Sequence, residues 1–340
     1  MAKESFIIDK DTNTLMIVWP SIYRDKIFWH DLIRIYYEII NIAVSNRYMI
    51  ILIHHKNINI ENNLYEANYK LSDIHIDYNK FITFYEYNFD DIWIRDYGPK
   101  ISNSGVINHG YNGYGNKYNH YNDKMFFNDV IKRYSLNHKY LINEVIIEGG
   151  NIINSNNDYI FNKNSIIKHN SLSWNTIESK IKSVFDKKIN GNYYFVNVQE
   201  LTGDDTDGHI DNLVRFKDDN TILYMATNDK KHPDYKTLKE LKKQLEEIII
   251  KSNNIDSMIA VNHDIKDIVK SLDGDILPFS YLNYIEVGDL IIIPVNKNTG
   301  KDKKQNIKGL FPNHVIFFLE STALLNEFGG LHCCSNNFIL

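Results

Sequence analysis

The chain has 340 residues, 43% of them hydrophobic and 24% charged, with a formal net charge of -5. That length passes the usual limit of about 250–300 residues for one simple core, which leaves two domains or one closed, repeat-built domain. The ordinary hydrophobic content excludes global disorder, and the mild acidity argues against a general binder of nucleic acid or anionic membrane.

In chain order, charges break the first eleven residues too early for a signal-peptide apolar region. No run of 18 apolar residues follows, so no membrane span is expected and a cytoplasmic protein is. Apolar residues at helical spacing (Leu32, Ile33, Tyr36, Ile39, Ile40, Ala43) predict a helix over Trp29–Val44. Tyr48–Ile53 and Phe81–Tyr85 read as buried strands, and Lys124–Tyr134 as a helix. A strand over Glu144–Ile147, a helix over Leu172–Phe185 and strands over Tyr193–Val198 and Thr221–Met225 come next. Pro233 precedes a helix over Tyr235–Ile250. Leu290–Val295 and Val315–Leu319 read as strands, with the Lys-rich Asn296–Lys308 as a surface loop between them. Strands and helices alternate throughout, which predicts an α/β fold. No Pro/Gly/Ser-rich linker divides the chain, so one domain over residues 1–340 is expected.

Five segments carry candidate chemistry. Trp93-Ile94-Arg95-Asp96-Tyr97-Gly98-Pro99 places Asp96 at a strand-to-loop corner, where it pairs with Arg95, caps a turn or faces a site. Glu148-Gly149-Gly150-Asn151 sets a semi-buried carboxylate against a glycine pair that permits close backbone approach. In Gly203-Asp204-Asp205-Thr206-Asp207-Gly208-His209-Ile210-Asp211, a strand beginning near His209 would put His209 and Asp211 on one face. The same run fails as an EF-hand calcium loop, because Gly203 and Val214 would fill the first and twelfth positions. Gly110-Tyr111-Asn112-Gly113-Tyr114-Gly115 lacks the spacing of a dinucleotide loop and no P-loop occurs, so it reads as an aromatic pocket lining.

The fifth segment is Gly329-Gly330-Leu331-His332-Cys333-Cys334, with the only two cysteines of the chain. Adjacent cysteines cannot staple distant loops, nor easily share one tetrahedral zinc, so neither a disulfide framework nor a metal site is expected. Cys333 is a nucleophile candidate, and Cys334 is expected to face the opposite way on the same strand. The set supplies a thiol, an imidazole and three carboxylates. Carboxylates raise a thiol pKa, which is unhelpful to a cysteine protease. They become useful if the substrate is a cation such as a guanidinium, which pairs bidentately with them.

With these motifs in this order, the chain resembles the agmatine deiminase family, whose superfamily includes bacterial-type peptidylarginine deiminases. The resemblance spans roughly residues 15 to 340, with Arg215-Phe216 also matching. Two stretches depart from the family pattern: Val18-Trp19-Pro20 keeps only the tail of an N-terminal motif, and Cys334-Ser335-Asn336-Asn337 replaces apolar-Thr-x-Gln. The resemblance implies a pentein α/β-propeller of about five ββαβ-like units around a pseudo-fivefold axis. It implies Cys333 as nucleophile, His209 as general acid and base, and Glu148 as the carboxylate that orients His209. Asp96 and Asp211 would hold the guanidinium, with Trp93 and Gly330 beside it, and Asp204 or Asp207 would serve the substrate amine. The implied activity is hydrolysis of agmatine to N-carbamoylputrescine and ammonia, with no cofactor. Free or peptidyl arginine is the alternative substrate, and a non-catalytic pentein binding protein the alternative class. A small cationic guanidino compound is the expected partner; assembly into a homo-oligomer stays open.

Overall fold

The computed structural model describes residues 3–140 and 144–340. One pattern recurs five times: two antiparallel strands, a helical crossover, and a third strand parallel to the second. In the second unit Lys100–Ser102 pairs with Gly105–Asn108, the helix Tyr121–Tyr134 crosses over, and His138–Tyr140 completes the sheet. The third unit uses Ile153–Asn154, Asp158–Asn162 and Asn192–Val196, and the fourth Val214–Phe216, Thr221–Ala226 and Ser257–Asn262. The fifth uses Ile285–Val287, Leu290–Val295 and Val315–Glu320. The first unit takes its outer strand, Ser335–Phe338, from the C-terminus, antiparallel to Thr14–Val18. Met49–His54 and Ile82–Glu86 extend that sheet in parallel. Parallel pairs need a crossover of a dozen or more residues, which is why every unit carries its helix at that point. The five-unit α/β architecture expected from the resemblance is the one found.

Neighbouring units pack on one another. Trp29–Ser45 buries eleven residues on several faces, because it lies against its own sheet and the fifth unit's Val315–Glu320. Leu223 and Met225 of the fourth unit share one apolar cluster with Ile291 and Ile293 of the fifth. Among the described residues, no helix is long and apolar enough to cross a membrane.

Predicted and observed elements differ in several places. Val145–Ile147 is extended but joins no ladder: Asn170 takes its place, accepting from Ile146 N–H at 2.8 Å and donating to Ile146 O at 2.9 Å. Asn296–Lys308 is not all loop, since Lys301–Lys308 is helical and anchored by the buried Ile307. One apolar residue in a polar run gives no periodicity to read. His209 does not begin a strand; it leads into a tight turn at Ile210–Asn212, and the strand starts at Val214.

Phe338 lies on the borrowed strand, 1% exposed, with its ring 5.4 Å from Tyr134 of the second unit's helix. Phe338→Ala is expected to lose about 3–5 kcal/mol, as for other buried aromatic truncations. Calorimetry should show a single transition at lower temperature.

Candidate active site

The site is built on turns between the repeats, where backbone N–H groups are not committed to a ladder. Ile94–Tyr97 forms one buried helical turn, so consecutive side chains diverge. Arg95 points to the rear, donating from Nη2 to Asn337 Oδ1 at 2.7 Å, with Nη1 3.6 Å from Asp9. Asp96 points inward. Its Oδ1 accepts from Gly150 N–H and its Oδ2 from the Tyr114 hydroxyl, both at 2.8 Å. The Arg95–Asp96 pairing weighed from sequence is thus absent.

The glycine pair is needed for approach rather than for turning. A methyl on Gly149 would collide with Arg95 O. A methyl on Gly150 would lie 2.6 Å from both Asp96 Oδ1 and His209 Nδ1, and 3.3 Å from Asp211 Oδ2. Those three groups therefore converge on one point. Tyr114 reaches them by adopting a left-handed backbone (φ 56°), flanked by Gly113 and Gly115 in the same region. A non-glycine residue there costs roughly 1–2 kcal/mol. Two bonds offset it: the hydroxyl to Asp96 and the N–H to Glu148 Oε1 at 3.0 Å.

His209 sits between two acids, with Nε2 3.0 Å from Glu148 Oε2 and Nδ1 3.3 Å from Asp96 Oδ1. Burial opposes its charge, but Asp96 and Glu148 outweigh that and hold its pKa well above the ordinary value. Burial likewise pushes Glu148 up, yet His169 and His209 hold it well below the carboxylate range. His169 was not singled out from sequence; nothing local marks it.

Cys333 and Cys334 lie in a turn just before the last strand rather than on it. They do face apart. Cys334 Sγ turns to Leu331 O at 3.3 Å, and burial pushes its thiol up to about 12. Cys333 Sγ is 3.3 Å from Asn283 Nδ2 and 3.9 Å from Asp211 Oδ2. Burial, then Asp211 and Asp96, push its thiol well above the usual range. Asn283 is a second residue that the sequence does not reveal. Gly330 packs against Asn283, so Gly329, not Gly330, faces the cavity.

Asp211 Oδ2 accepts from His332 Nδ1 at 2.6 Å, while its buried Oδ1 has no partner among the described residues. Burial raises the Asp211 pKa, but His332, His209 and Arg215 outweigh it and keep the group ionised. Trp93, Asp96, Tyr114 and Cys333 line a cavity of about 280 Å³. Its other walls include Asp90, Asp91, Asp205 and Glu327.

Asp204 and Asp207 are not among the lining residues. Asp204 folds back on its own loop, accepting from Thr206 N–H at 3.0 Å and Gly208 N–H at 2.9 Å. Asp207 is paired with Lys117 at 2.6 Å and Lys168 at 3.0 Å. The carboxylate of that run which reaches the cavity is Asp205, held by the Tyr118 hydroxyl at 2.7 Å. Alternating residues of a turn face different ways, which a linear reading cannot assign. Glu148, His169 and His209 also bring one oxygen and two nitrogens within 4.8 Å of one another, the donor types a cation would use. Here both rings are already turned to the same carboxylate oxygen at 3.0 Å, a hydrogen-bonded group rather than an open ligand set.

Asp211→Asn removes a charge that disfavours the thiolate, so alkylation of Cys333 by iodoacetamide at fixed pH should accelerate. The gain is about tenfold for each unit by which the thiol pKa falls. Peptide mass spectrometry should find Cys334 unmodified in both proteins.

A family model described as Porphyromonas-type peptidyl-arginine deiminase matches residues 9–338. An agmatine deiminase of Pseudomonas aeruginosa (strain LESB58) is 24% identical over 282 residues, 73% of this chain and 74% of that one. A solved C. jejuni agmatine deiminase, a cysteine-to-serine variant with substrate bound, superposes with TM-score 0.81 at 22% identity. It covers 99% of this chain and 96% of its own. The agmatine deiminase of Enterococcus faecalis superposes with TM-score 0.75 at 15% identity, covering 97% and 93%. The fold is therefore the pentein fold, and the chain belongs to the Porphyromonas-type peptidyl-arginine deiminase family.

Proposed function

We propose that this protein is a hydrolase that deiminates agmatine, giving N-carbamoylputrescine and ammonia. One observation carries the choice of substrate. Among the described residues, the cavity beside Cys333 is lined by five carboxylates (Asp90, Asp91, Asp96, Asp205 and Glu327) and by no Lys or Arg. A substrate with a cation at each end matches such a cavity. Free arginine would bring an α-carboxylate into the same acidic field, where like charges repel, and the Lys26 ammonium at its wall is already paired with Glu327 at 3.0 Å.

In this reading the guanidinium lies between Asp96 and the free Oδ1 of Asp211, against the Trp93 ring. Its charge offsets the two carboxylates that hold the Cys333 thiol protonated, and the thiol loses its proton to solvent. The thiolate attacks the guanidinium carbon. The carbon–nitrogen bond breaks, and His209 gives its proton to the departing ammonia. A covalent S-alkylthiouronium remains. Neutral His209 then takes a proton from water, whose oxygen attacks the same carbon. The carbon–sulfur bond breaks as the hydroxyl proton of the adduct passes to the leaving sulfur, restoring the thiol and releasing the neutral product. Asp205 and Asp91, which also line the cavity, take the substrate amine.

Ammonia release should be measured from agmatine, free arginine and an arginine peptide. Agmatine should be turned over with the highest kcat/KM; turnover of the peptide alone would make peptidyl arginine the substrate. Cys333→Ala should bind agmatine without turnover, and ammonia release by that variant would sink the nucleophile assignment. Asp205→Asn should raise KM for agmatine about tenfold at similar kcat, a loss of about 1.4 kcal/mol.

A further inference from the structure

His169 is buried (4% exposed) at the end of the short helix Lys163–His169 and has no part in the chemistry described above. Both of its ring nitrogens face carboxylates. Nδ1 is 3.0 Å from Glu148 Oε2, and Nε2 is 3.2 Å from Asp207 Oδ2. The same Oε2 lies 3.0 Å from His209 Nε2, so one carboxylate oxygen serves two imidazoles. Tyr114 N–H occupies the other oxygen of Glu148. Asp207 is in turn fixed at the surface by Lys117 and Lys168. The charged and titratable groups around His169 are thus Glu148, His209, Tyr114 and Asp207, with Lys117 and Lys168 behind Asp207. Asp96 lies on the far side of His209.

We infer that His169 is a positioning residue that takes a share of the Glu148 carboxylate and thereby limits how tightly His209 holds its proton. The reason is electrostatic. His209 must give up a proton to the leaving group and recover one from water, so its proton affinity has to stay within reach of both steps. A buried imidazole between Asp96 and an unshared Glu148 would hold its proton too firmly. A second N–H donor on Oε2 draws off part of that negative charge. Asp207 holds the His169 ring at the angle this requires, and its two lysines hold Asp207. The line from His209 through Glu148 and His169 to Asp207 ends at the partly exposed Lys117 and Lys168.

The kinetic readout rests on the deiminase reading, whereas the spectroscopic one does not. With ¹⁵N-labelled histidine, the titration midpoint of His209 would be followed by NMR in the wild type and in His169→Leu, His169→Gln and Asp207→Asn. In His169→Leu the midpoint should rise by roughly one pH unit. The alkaline limb of the kcat/KM profile for agmatine, where His209 loses the proton it must donate, should move by the same amount. His169→Gln retains an N–H donor for Glu148 and should stay near the wild-type midpoint. Asp207→Asn keeps the ring but loosens it, and should move the midpoint upward by less. A His169→Leu protein that unfolds cooperatively and titrates His209 at the wild-type midpoint overturns the inference. If His169→Leu does not fold, an unshifted midpoint in folded Asp207→Asn overturns it equally. A wild type inactive on agmatine would refute the proposed function and leave the NMR comparison decisive.

Discussion

Three carboxylates share one buried region: Asp96 and Glu148 are each 1% exposed and Asp211 is fully buried. Taking such groups out of water costs several kcal/mol each unless charge and hydrogen bonds repay it. The molecule answers with fixed donors and one imidazole held between two of the acids. Gly150 N–H, Tyr114 N–H, the Tyr114 hydroxyl, His332 and His209 each take a place on one of the acids. The unpartnered Oδ1 of Asp211 is left over. This compensation dictates the architecture, since free N–H groups exist at turns and chain ends rather than within ladders.

The rear of the site repeats the problem with opposite sign. Arg95 and Arg215 are both buried, and Asp9 stands between them, 3.6 Å from one and 3.3 Å from the other. Asp9 also lies 3.2 Å from His332 Nε2, whose other nitrogen holds Asp211. Burial and the two arginines lower the His332 pKa, so charge on this ring is disfavoured. A residue near the N-terminus and one beside Cys333 thus orient a carboxylate of the candidate site together. The C-terminal strand adds Asn337, which accepts from Arg95 and donates to Glu286 O. Both ends of the chain are fastened by the same layer of charge.

The resting thiol follows from this balance. Burial, with Asp211 Oδ2 3.9 Å away and Asp96, pushes the Cys333 thiol up, and a positive charge brought into the cavity would oppose that shift. A thiol in that state is protected from adventitious oxidation and alkylation, since the thiolate is the reactive form. The acidity that seemed a bland feature of the composition is concentrated where it does this.

Composition, period and spacing in the sequence were enough for the α/β alternation, because helices such as Trp29–Ser45 and strands such as Leu290–Val295 carry their own periodic signal. The five motifs were legible for a related reason: glycine pairs, a Gly-Pro corner and rare residues such as Cys333 and His209 stand out locally. Resemblance, not spacing, pointed to the fivefold repeat. Tertiary structure alone decided which side chains of each turn face inward. It selected Asp205 over Asp204 and Asp207, turned Arg95 away from Asp96, and brought in His169, Asn283 and Asp9 from distant segments. Turns have no fixed side-chain period, and contacts between residues far apart in the chain leave no local trace. Their partners are fixed only when buried charge has to be compensated in three dimensions.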